Sequence, residues 1–174
     1  MFTSRCAVGA VLLALAGCAR AANTVELGEP VESAEIARWD ISIPPSGEGL
    51  PKGGGTARQG APIYQAKCQS CHGEKGAGEL ADPLAGGRGT LASKAPLRTV
   101  GSYWPYATTL FDYVRRAMPL ANPLSLTNDE VYAVSAYVLY LNGIIGEDVA
   151  MNAQTLPRIK MPNREGFISD WPPR

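Results

Sequence analysis

Apolar positions recur at helical spacing in several stretches of the chain, and nowhere alternate long enough to build a sheet. The clearest stretch holds Val131, Val134, Tyr137, Val138 and Leu141 at intervals of three and four residues. Ahead of it, Thr127-Asn128-Asp129-Glu130 has the form of a capping box, in which Thr127 caps and Glu130 reaches back. Asn142-Gly143 supplies the stop. Ile63, Tyr64, Lys67 and Cys71 predict a helix over Ala57–Cys71. Another fits Tyr106–Ala117 and ends where Met118 meets Pro119, since a residue before proline disfavours the α region. A weaker helix fits Val31–Arg38. The stretch Gly73–Gly101 is dense in Gly and Pro and reads as loop with short helical turns, and Ile144–Arg174 reads as a proline-punctuated tail. The pattern is that of a small all-α body with extended segments on both sides.

Composition adds a constraint on the core. Aromatic residues are 7% of the 174, against 19 Gly and 14 Pro, so side chains alone leave a core under-filled. Lys and Arg number 16, as do Asp and Glu, and no block of like charge stands out, which argues against nucleic acid as a partner.

The chain opens like an export signal, with Arg5 ahead of an apolar stretch from Ala7 to Ala16 that is too short to span a bilayer. Leu15-Ala16-Gly17-Cys18 resembles a lipobox, which would make Cys18 the lipidated first residue of the mature chain and a membrane anchor. Ordinary cleavage after Ala19-Arg20-Ala21 is the other reading, and it discards Cys18. Either implies a periplasmic protein. The resulting plan is a signal over 1–17, an arm over 18–55, a body over 56–146 and a tail over 147–174. Ile36, Trp39, Ile41 and Ile43 make the arm too apolar for a plain linker.

With Cys6 in the signal and Cys18 either lipidated or removed, only Cys68 and Cys71 remain in the body, within Cys68-Gln69-Ser70-Cys71-His72. This C-x-x-C-H spacing is that of covalent haem c attachment. Two thiols on one helical turn reach the same porphyrin edge, and the following imidazole lies against the iron. A thioredoxin-type dithiol would need surrounding strand–helix alternation, which is missing. A structural zinc site needs four ligands, and His72 is the sole histidine. The same count forbids a bis-histidine haem within this chain. Methionine is then the natural sixth ligand and raises the reduction potential. Met118, Met151 and Met161 are the candidates. Met118 is favoured because it sits between two helices with Pro119 stiffening the backbone that aims its sulfur.

Over roughly Thr56–Gly146 the chain resembles class I c-type cytochromes: Gly60, Tyr64 and Cys68 fall at four-residue steps, and Asp82-Pro83-Leu84-Ala85-Gly86 looks like that family's proline–leucine–glycine loop. The resemblance implies a class I cytochrome c-like fold, a close crossing of first and last helices at Gly60, and Tyr64 packing near Tyr137. It also implies that the Pro83 carbonyl accepts the second ring N–H of His72. Tyr103 and Trp104 are candidates to pack on the porphyrin or bond a propionate, and Arg88, Arg115 and Arg116 to neutralise propionates or face a partner.

A narrower resemblance is to the cytochrome subunits of bacterial sulfane and sulfite dehydrogenases, which are molybdoenzymes. It rests on Gly101-Ser102-Tyr103-Trp104-Pro105-Tyr106, on Asp112-Tyr113-Val114-Arg115-Arg116-Ala117-Met118-Pro119, and on arm and tail words such as Trp39-Asp40-Ile41 and Met161-Pro162-Asn163-Arg164. It implies single-electron transfer for a molybdenum-containing partner, with no catalysis by this chain alone. Those subunits usually carry two haem domains, whereas this chain has one haem motif. A diffusible shuttle to a terminal oxidase, or a haem enzyme or sensor with a labile sixth ligand, are the alternatives.

Overall fold

A computed structural model describes residues 28–168. The chain divides into two units, Met1–Trp39 and Asp40–Arg174. In the first, helix α1 spans Ser33–Trp39, with Glu35 in its first turn and Arg38 in its last, each charge suited to its end of the helix dipole. None of its residues is buried, and Trp39 is 81% exposed. The two leader readings and Cys18 lie outside the described residues.

The compact body begins at Asp40, so it takes in chain that the sequence reads as arm, and likewise the tail. Helix α2 (Ala57–Lys67) starts at a capping box in which Thr56 accepts from the Gln59 N–H and the Gln59 side chain reaches back. The predicted single helix to Cys71 is broken at Cys68, whose φ of −125° interrupts the run before the short helix α3 (Gln69–His72). Helix α4 (Ala107–Ala117) ends at Met118, which takes the extended conformation its proline neighbour demands. Helix α5 (Asn128–Leu141) carries the capping box predicted at Thr127 and Glu130.

Helices α2 and α5 form the main crossing. A Cβ on Gly60 would land on the Ala133 carbonyl and within 2.9 Å of the Tyr137 Cβ, so only glycine lets the backbones approach this closely. One turn on, the Tyr64 and Tyr137 rings pack with centroids 5.2 Å apart. Phe111 of α4 meets Tyr132 of α5 at 4.4 Å. The core also includes Ile43 from the segment before α2 and Met151, Leu156 and Met161 from the tail. A two-residue antiparallel ladder closes this arrangement, β1 (Gly54–Gly55) against β2 (Met151–Asn152), in register Gly54 with Asn152 and Gly55 with Met151. Periodicity predicts no such pair because two residues have no period. Among the described residues, no helix is long and apolar enough to cross a membrane.

The N-terminus of α5 is also an electrostatic joint. The Thr127 N–H and the Lys67 ammonium, 3.1 Å away, hold the Glu130 carboxyl below the usual carboxylate range. A folded-state value lower than the unfolded one stabilises the fold above the unfolded value, and the effect is lost as pH falls through the folded value. Glu130→Gln is therefore expected to lower stability in urea titrations at pH 7, with the gap to the parent closing as pH falls through the folded carboxyl's range.

Candidate haem site

One apolar cavity of about 560 Å³ opens between α3, α4, α5 and the loops that join them. Its volume falls in the range typical of cofactor sites, roughly 300–1,000 Å³. Cys68, at the break before α3, and Cys71 and His72 of α3 line it, and Met118 lines it just past the end of α4. Leu110 and Val114 of α4 and Val134 and Val138 of α5 complete a greasy wall. Trp104 joins it, held edge-on against Tyr113 at 5.9 Å.

The turn that carries the histidine is fixed from behind. The Tyr64 hydroxyl donates to the Gly73 carbonyl at 2.9 Å, and burial pushes that phenol up to about 12, so it stays a donor at neutral pH. The Gly78 N–H donates to the His72 carbonyl and the Ala81 N–H to that of Cys71, both at 2.8 Å, which folds the following loop back over α3. The His72 ring gives its Nδ1–H to a carbonyl 2.9 Å away. That acceptor belongs to Asp82, one residue ahead of the predicted Pro83. Pro83 instead lines the cavity and packs against Gly78, whose missing Cβ would stand 3.1 Å from the ring. The hydrogen bond fixes the tautomer and leaves Nε2 for a metal.

Cys68 and Cys71 form no disulfide with each other. Burial, the largest effect, pushes the Cys68 thiol up to about 11. Among the described residues, no three His, Cys, Asp or Glu side chains gather to hold a metal ion. The donors present are two cysteine sulfurs, one oriented imidazole and one thioether around an apolar slot. That set fits a covalently attached haem.

Other predicted contacts fall elsewhere. Met151 and Met161 are buried in the core and do not line the cavity. Arg88 reaches the Asn142 carbonyl at 3.4 Å and is not among the lining residues. Tyr103 also stays off the cavity wall; its carbonyl accepts from Asn163 and its ring meets Phe167 at 5.2 Å. Arg115 and Arg116 turn to the Ile41 carbonyl and to Asp112. The lining arginine is Arg98, which sequence reasoning missed, with its guanidinium 5.5 Å from the centre of the Tyr103 ring. Its position just ahead of the aromatic cluster is the signal that was available.

Comparison with known proteins agrees with this geometry. Residues 55–138 match the family model for cytochrome c oxidase, cbb3-type, subunit III. A chain in the crystal structure of the sulfane dehydrogenase SoxCD from Paracoccus pantotrophus is 38% identical, with a TM-score of 0.78 over 84% of this chain and 72% of that one. No curated protein matches. The chain belongs to the c-type cytochromes. Its cofactor is a covalent haem c, and its activity is electron transfer.

Proposed function

We propose that this chain is the periplasmic haem subunit, or dedicated electron acceptor, of a dehydrogenase acting on sulfite or sulfane sulfur, with a molybdenum-containing catalytic partner. The observation that carries this reading is the breadth of the likeness to the SoxCD chain, 84% of the present chain, well beyond the 55–138 stretch of the general cytochrome model. The export signal supports the periplasm, and a lipidated Cys18 would add a membrane anchor.

In this reading Cys68 and Cys71 would form the thioethers to a haem, and His72 and Met118 would ligate its iron. A bound haem supplies a one-electron couple that the protein tunes through ligation and burial. The chain's own residues do the rest. Asp82 orients the His72 ring through its carbonyl. Leu110, Val114, Val134 and Val138 would keep water from a group bound in the cavity. Arg98 offers a cation to its carboxylates.

Purification from the native host tests the partner. Co-elution with a molybdenum-containing subunit, and reduction of the cytochrome on adding sulfite or a sulfane donor, is the expected result. A cytochrome that elutes alone and stays oxidised with both would make it a diffusible shuttle and sink the reading.

A further inference from the structure

Helix α4 works on two faces. Leu110 and Val114 face the cavity, while Thr108, Asp112 and Arg115, spaced four and three apart, hold the strap Ile41–Pro45. Thr108 Oγ1 donates to the Pro45 carbonyl at 3.3 Å, and Arg115 Nη1 to the Ile41 carbonyl at 3.2 Å. Between them, Asp112 is 8% exposed, and a carboxylate so deeply placed is costly unless it is paired. It accepts the Ile43 N–H at 2.9 Å and the Arg116 Nε at 3.0 Å, and its second oxygen takes the Arg116 Nη2.

One buried carboxylate thus ties two things together. Ile43, itself part of the core, anchors the strap, and Arg116 belongs to the last turn of α4. The next turn-closing bond is the Met118 N–H to the Val114 carbonyl at 3.1 Å. Where Met118 presents its sulfur is therefore set by how firmly that last turn is held. We infer that Asp112 is a positioning residue for Met118, clamping the end of α4 to the strap so that the thioether stays on the cavity wall. This rests on the reading of Met118 as sixth ligand.

The test uses the full-length, haem-loaded protein well below its melting temperature. Two quantities are read, the far-red sulfur-to-iron band of the oxidised form and the affinity of added imidazole, which competes with the methionine. Asp112→Ala removes the bonds to Ile43 and Arg116 and leaves those of Thr108 and Arg115 to the strap, while Asp112→Asn keeps an acceptor for Ile43 but loses the ionic pair with Arg116. Imidazole is expected to bind on the order of tenfold tighter to Asp112→Ala, as the loss of a charge-assisted bond implies, with the band weakened and Asp112→Asn in between. In a Met118→Ala background, Asp112→Ala should leave imidazole affinity unchanged. A lower melting temperature with parental band and imidazole affinity in both variants would make Asp112 a structural ion pair only and overturn the inference. Should Met118→Ala itself keep the band, the ligand assignment fails first, and the positioning role with it.

Discussion

Met118→Ala is expected to abolish the far-red charge-transfer band of the oxidised protein and to lower its reduction potential. Met118 is the methionine on the cavity wall, whereas Met151 and Met161 are buried in the core. A thioether sulfur favours the reduced state, and axial ligands move haem potentials over a range of about 0.8 V, so a fall on the order of 0.1 V or more is the scale to look for. Redox titration and the oxidised spectrum read both effects from one sample. The variant should also bind carbon monoxide readily when reduced, since alanine offers no competing donor. Met161→Ala is the informative control. It should cost stability through a core cavity, about 2–5 kcal/mol, and leave the band in place. Loss of the band from Met161→Ala instead would reverse the assignment.

Gly60→Ala is expected to strain the main helix crossing and to lower stability. In an exposed helix the change would gain about 1 kcal/mol of propensity. Here the new Cβ falls on the Ala133 carbonyl, and both partners are backbone of packed helices. Overpacking that forces backbone shifts costs typically 1–3 kcal/mol; a backbone clash belongs at the upper end, so after the propensity gain a net loss of roughly 2 kcal/mol and a melting temperature several degrees lower are expected. Gly146→Ala sets the baseline, because a Cβ there meets only the Val149 side chain at 3.5 Å. If thermal melts place the two variants together, the α2–α5 crossing is looser than described.

What the sequence makes legible is local. The Thr127–Glu130 cap, the stripe of α5 and the stop of α4 at Met118 each depend on residues a few positions apart, and each appears where it was predicted. The C-x-x-C-H spacing works the same way. Long-range packing was legible where the family resemblance implied it, at the Gly60 crossing and the Tyr64–Tyr137 contact. The apolar arm pointed to packing of some kind, but that Ile43 and the tail residues share one core depends on partners far along the chain. The β1–β2 ladder is too short to show a period. At the site, the hydrogen-bond acceptor of His72 moved from Pro83 to Asp82 because a loop's exact path decides which carbonyl faces the ring. Choosing among arginines failed for the same reason. Arg115 and Arg116 are spent on the strap and on Asp112, and Arg98 reaches the cavity through a loop whose course no spacing rule gives.

The tail has a consequence for how the molecule is policed. Met151, Leu156 and Met161 are each at most 1% exposed, and Met151 also belongs to the strand that pairs with Gly55. A chain cut short before Met151 would keep the whole haem-attachment motif and the residue at 118, yet leave its core open and β1 unpaired. The segment after α5 thus closes the core it packs into, and a chain lacking it would present that apolar surface to proteases.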